Sequence, residues 1–175
     1  AKGLDSALYL TIGTGIGGGA IVEGNLVHGL LHPEMGHMML TVREDDQYAG
    51  KCPYHGTCFE GLAAGPSLEA RTGIRGELID QHSEVWDVQA YYIAQAAVQA
   101  TVLYRPEVIV FGGGVMGQEH MLRRVREKFT ALLNGYLPVP DVNEYIVTPA
   151  VSGNGSATLG NFALAKDVAD KHANK

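Results

Sequence analysis

The stretch "ALYLTIGTGIGGGAIVEGNLVHG", residues 7–29, decides the fold. Its first six residues, "ALYLTI", read as a buried strand. "GTGIGGG" is then a glycine turn, and "AIVEGNLVHG" a second strand, with Glu23, Gly24 and Asn25 as the next turn. A strand that reaches glycines and returns as a strand, without feeding a helix, makes a β-meander.

Outward from this meander the pattern changes. Residues 41–50 are polar and loop-like, and residues 59–71 read as a short helix broken near Gly65 and Pro66. Over residues 84–104 the positions Trp86, Ala90, Ile93, Ala97, Ala100 and Tyr104 recur at helical steps, and Pro106 ends the run. "EVIVFGGGV" is an apolar strand closing on three glycines. Residues 119–134 predict a helix with Leu122, Val125, Phe129 and Leu132 on one face and Gly135 at its C-cap. Arg123, Arg124, Arg126 and Lys128 on this helix read as a solvated face. "EYIVTPA" predicts a strand, and "SGNGSATLGNFALAKDVADK" a glycine turn leading into a terminal helix. Helices alternating with strands imply a layered α/β domain.

The composition narrows the function. A chain of 175 residues is enough for one domain with a core. A net charge of -6 argues against a nucleic-acid surface. No apolar run is long enough to span a membrane and no signal peptide opens the chain, so the expectation is a soluble, cytoplasmic protein. The 23 glycines cluster and show no three-residue period, which marks turns where backbone approaches something closely. The chain reads as the continuation of something longer.

Three groups carry chemistry. His37, Cys52, His55 and Cys58 offer two nitrogens and two sulfurs, and the C-x2-H-x2-C spacing suits a tight loop around an ion; four such donors make a closed, structural zinc site. The alternatives are free thiols or a disulfide, which a cytoplasmic setting disfavours. His32 is the rival fourth ligand, but Pro33 directs the chain away from it. "TIGTGIGGG" can present backbone N–H groups to phosphate, with hydroxyls from Thr11 and Thr14, or it can be only a tight hairpin. "FGGGVMG" is a second loop of the same kind. Glu34 and Glu60 flank the cysteine–histidine group, where carboxylates suit sugar hydroxyls, although Glu60 also suits a helix start.

On "TIGTGIGGGAIVEGNLVHG", "HPEMGH", "CPYHGTC", "FGGGV" and "GNGSATLGNFALA", the chain resembles the ROK family of bacterial sugar kinases, in the actin-like ATPase superfamily. His55, where most ROK sugar kinases carry a cysteine, points to the fructokinase branch. The resemblance implies an RNase H-like, actin-like ATPase domain: a mixed sheet flanked by helices, with an inserted zinc loop. It places a sugar and zinc loop over residues 29–67 and a nucleotide side over 84–160. It implies transfer of the ATP γ-phosphoryl group, with Mg2+, to a hexose, most plausibly fructose to give fructose 6-phosphate. It further implies structural Zn2+ on His37, Cys52, His55 and Cys58, and sugar contacts from Glu34, His37 and Glu60. Nucleotide contacts would come from Thr11, Gly13, Thr14, Gly15, Pro66, Gly112, Gly113, Gly114, Val115 and Met116. The family's first phosphate loop and its Asn-Asp catalytic pair match nothing in residues 1–10. The expectation is therefore the C-terminal part of a kinase, with an N-terminal domain and its catalytic aspartate elsewhere, and a homodimer as the family's habit. The alternatives are the effector domain of a ROK-type sugar-sensing repressor and a purely structural zinc domain.

Overall fold

The computed structural model describes residues 3–151 and 155–173. Three strands form the expected meander: β1 (Ala7–Ile12), β2 (Ile16–Val22) and β3 (Asn25–Leu26), each antiparallel to the one before. On the other side of β1 lie β4 (Val108–Gly112) and β5 (Ile146–Val147), both parallel, which gives the order β3-β2-β1-β4-β5. A parallel pair needs a crossover. The one between β1 and β4 holds α1 (Phe59–Ala63), α2 (Gly65–Thr72) and α3 (Val85–Tyr104). The next holds α4 (Met121–Leu133) and the single turn α5 (Val142–Tyr145), and α6 (Gly155–Ala173) ends the described chain. The fold is thus a mixed α/β sheet with helices packed on it, as expected.

The core fills the space between one sheet face and the long helices. Leu8, Leu10 and Ile12 of β1, with Ile109 and Phe111 of β4, meet Trp86, Ile93 and Ala97 of α3, and all are buried. Three of the six predicted α3 positions, Ala90, Ala97 and Ala100, are buried alanines, and small residues let neighbouring elements approach closely. The helix stops where Arg105 takes a left-handed conformation, φ 49°, directly before Pro106.

Three local expectations need correction. Gly17, Gly18 and Gly19 belong to β2, not to the turn, and pair with Thr11, Leu10 and Tyr9. A side chain at Gly18 would sit 2.6 Å from Leu10 Cδ2 and 3.1 Å from Met35 Sδ, so glycine makes room for the 3-10 turn Met35–His37 to press on the strand. On α4 the buried stripe steps by four from Met121 through Val125 and Phe129 to Leu133, leaving Leu132 exposed; the cap is Asn134, φ 49°, with left-handed Gly135 just beyond it. "EYIVTPA" yields only two strand residues, because Asp141 accepts from the Asn143 amide and winds 142–145 into a turn of helix. The glycine turn read at the "SGNG" segment falls partly on 152–154, outside the described residues. The cationic face of α4 is not idle: Arg124 pairs with Asp87 at 2.6 Å, and Arg126 bonds the Ile146 and Asn143 carbonyls. Among the described residues no helix is long and apolar enough to cross a membrane.

Candidate functional site

The metal loop is built by backbone before side chains matter. Cys52 and Gly56 exchange N–H···O bonds of 3.3 and 3.0 Å, closing residues 52–56 into a hairpin-like turn. Gly50 and Gly56 both have positive φ, and a side chain at Gly50 would lie 2.0 Å from the Gly56 carbonyl oxygen. Met39 and Cys58 form a bridge, and the Phe59 amide bonds the Met38 carbonyl at 2.8 Å, which carries the 3-10 turn at His37 beside the loop.

This framework brings together all four predicted donors. Their ligand atoms lie within 4.8 Å of one another. Nδ1 of His37 is 3.7 Å from Cys52 Sγ and 3.5 Å from Cys58 Sγ, and Nδ1 of His55 is 3.7 Å from Cys52 Sγ. Zinc bonds of ordinary length at a tetrahedral angle put nitrogen and sulfur about 3.6 Å apart, so the donor set fits zinc. Both thiols are free, not joined as a disulfide. The His55 and Tyr54 amides hold the Cys52 thiol down to about 6, against some opposing desolvation, while burial pushes Cys58 up.

Beside the donors stands Glu60, in the first turn of α1 just after Cys58. Its Oε2 accepts from the Ile16 amide at 2.9 Å, and its Oε1 lies 4.0 Å from Nε2 of His37. His37 thus turns one ring nitrogen to the sulfurs and the other to Glu60. Glu34 is placed differently. Its carboxylate pairs with His32 at 2.8 Å, and both side chains are exposed, so the residue set aside in the sequence is the one Glu34 meets.

The glycine loops converge at the start of α2. The Gly65 amide bonds the Gly13 carbonyl at 2.7 Å, fixing the start of α2 on the β1–β2 turn. Gly13, Thr14, Pro66, Gly114 and Val115, all expected near nucleotide, line one cleft of about 590 Å³. Gly112, Gly113 and Met116 line a second of about 730 Å³, and Gly114 belongs to both, so this segment is the wall between them. At Gly113 φ is +88° and a side chain would strike the Ile12 carbonyl oxygen at 2.3 Å, so only glycine fits. Thr11 lies in β1 opposite Gly17 and Gly112, and Gly15 lies against Glu60; neither lines the first cleft. Sequence reasoning missed Gly65, Glu69, Arg75, Glu77, Trp86 and Gln118 in its lining. Glu69, three residues after Pro66 on one helix, was within reach of a periodicity argument; Arg75, Glu77 and Gln118 sit on loops that carry no such signal.

The family model for the ROK family matches residues 1–168. The chain belongs to the ROK family. Among curated relatives it is 70% identical over 167 residues to a fructokinase of Streptococcus mutans serotype c, covering 94% of this chain and 57% of that protein. It is 52% identical over 165 residues to a fructokinase of Lactococcus lactis subsp. cremoris, covering 93% of this chain and 57% of that one. The ROK hexokinase of Thermus thermophilus has the same fold, with a TM-score of 0.71 and 26% identity over 89% of this chain and 55% of that chain. This ROK chain therefore spans little more than half the length of the relatives it matches.

Proposed function

We propose that this chain is the sugar- and metal-binding part of an ATP-dependent hexose kinase that converts fructose to fructose 6-phosphate. The observation that carries the reading is the 70% identity with a fructokinase across 94% of the chain. A cluster of four nitrogen and sulfur donors beside a carboxylate supports it.

In this reading zinc holds the loop of His37, Cys52, His55 and Cys58 in one shape, and Mg2+ offsets the charge of ATP. The chain's own residues do the positioning. With Oε2 of Glu60 occupied by the Ile16 amide, Oε1 is left to accept a sugar hydroxyl, and Nε2 of His37 faces the same space. Glu34 joins them by leaving His32 and turning inward, a rotation its exposure permits. Gly13, Thr14 and Gly15 meet the phosphates, with Thr11 behind them. Pro66, Gly112, Gly113, Gly114, Val115 and Met116 flank the nucleoside. The aspartate that takes the hydroxyl proton comes from an N-terminal domain of the longer protein, which works in the cytoplasm as a homodimer.

The test is coupled ADP release by the full-length protein on a panel of hexoses. Fructose should turn over best, with zinc in the purified protein. Turnover of no hexose would sink the kinase reading, and sugar binding without turnover would favour the repressor.

A further inference from the structure

Ile16, the first residue of β2, is held from two sides. Its amide donates to Glu60 Oε2 at 2.9 Å. Against its carbonyl lies Gly36, where even one added carbon would come within 1.9 Å of the Ile16 oxygen. Gly36 precedes His37 and Glu60 follows Cys58 by two, so both jaws belong to the metal loop. On the other side, Ile16 ends the glycine turn, in which the Gly13 amide bonds the Gly15 carbonyl at 2.9 Å and the Gly13 carbonyl receives the Gly65 amide. The first nucleotide-side cleft opens at Gly13 and Thr14. A side chain at Gly15 would meet Glu60 Oε2 at 2.9 Å, so the turn and the carboxylate are packed in contact.

We propose that Glu60 is a positioning residue for the glycine turn: through the Ile16 amide it fastens that turn to the metal loop, so that metal binding sets the shape of the nucleotide side as well as the sugar side. This rests on the kinase reading for its consequence in turnover but not for its structural content. The carboxylate has acceptor capacity for both partners, and one of its oxygens is directed at backbone rather than at open space. The bond reaches between positions 44 residues apart, and the metal donor Cys58 fixes the helical turn from which it is made. Loss of the metal frees the Cys58 end of α1, and with it the carboxylate.

The test is amide hydrogen exchange at Ile16, measured by NMR on this chain loaded with zinc. Glu60→Ala should speed exchange about tenfold or more, the value of one charge-assisted bond. Glu60→Gln keeps a carbonyl oxygen that accepts, so protection should stay near that of the parent. Chelation of zinc should reproduce the Ala result. Unchanged protection in Glu60→Ala, or in the chelated protein, overturns the proposal. Should the Ala variant fail to fold, Gly15→Ala crowds the same carboxylate without altering a metal donor; faster Ile16 exchange at full zinc content supports the link, and unaltered exchange refutes it. In the full-length enzyme the Gln variant should raise KM for sugar alone, and the Ala variant KM for both sugar and ATP. A pure sugar contact would move only the sugar KM in both. Absence of turnover on any hexose strikes the kinase reading, while the exchange rates still decide the link.

Discussion

The cysteine–histidine loop and the nucleotide-side cleft sit at opposite ends of the short helix α1, and they are made in opposite ways. At the start of α1 four side chains meet with their ligand atoms within 4.8 Å of one another. At the start of α2 the shape comes from backbone: a Gly65–Gly13 hydrogen bond of 2.7 Å and glycine where a side chain would strike the Ile12 carbonyl. A side-chain site is specified by a few residues and fails when one is lost. A backbone site is spread over many residues, and its polar lining is tuned more than it is broken.

Removing a metal donor tests the first half of that contrast with the largest expected effect. Cys58→Ala takes away a fully buried sulfur at the residue whose backbone bridges to Met39. Structural zinc in small domains is worth about 10 kcal/mol of apparent binding energy, and much of that should be lost. Elemental analysis should show zinc falling to a small fraction of the parent's, with a lowered melting temperature that added zinc does not restore. Full zinc content in this variant would remove Cys58 from the site.

An intermediate effect is expected in the polar loop of residues 41–50, where the chain runs into the metal loop. There Asp46 pairs with Arg71 of α2 at 2.5 Å, accepts from the Tyr92 hydroxyl and the Tyr48 amide, and is 6% exposed. Arg71 lies over the Tyr48 ring at 4.1 Å. Burial pushes the Asp46 carboxyl up, but its bonds from Arg71, Tyr92 and Tyr48 outweigh this and hold it below its usual value. A folded-state value below the unfolded one contributes stability above about pH 4, lost as pH falls through the folded value. Asp46→Asn leaves Arg71 buried without its charge partner, at a cost of about 3 kcal/mol near neutrality. Melting curves from pH 7 to 3 should show the variant's deficit shrinking at the acid end. A deficit independent of pH would mean that packing, not charge, holds this loop.

What could be read from the sequence follows the same division. The clustering of His37, Cys52, His55 and Cys58 was legible because residue type and spacing alone suggest it, and so were β1, α3 and the break between α1 and α2, which rest on periodicity and on Gly65-Pro66. The extent of β2 was not, because Gly17 to Gly19 look like a turn until Leu10 and Met35 are seen to leave no room for a side chain at Gly18. Nor was the partnership of Glu34 with His32, or of Glu60 with the Ile16 amide. Each is a contact made by tertiary approach, and in a chain read alone a carboxylate near a metal loop has no direction. The slip from Leu133 to Leu132 on α4 has a similar cause: steps of three and of four are equally helical, and only the neighbour it packs on, chiefly α3, chooses between them.

The smallest effect is expected at the far end of the cleft, and it probes the second half of the contrast. Arg75 and Glu77 line the cleft beyond the C-terminus of α2, on an exposed loop, while Gly13 and Thr14 line it near the α2 N-terminus. An eight-residue helix is about 12 Å long, so in the kinase reading a nucleotide with its phosphates at the glycine turn would extend along α2 towards Arg75. Arg75→Ala removes one exposed contact there and no buried one. Stability should stay within about 0.5 kcal/mol of the parent. In the full-length enzyme, KM for ATP should rise by a few fold at unchanged KM for sugar, since a solvent-exposed charge contributes about 1 kcal/mol or less. A loss as deep as that from Cys58→Ala would show that the cleft, too, hangs on a single side chain, and the division between the two regions would fall.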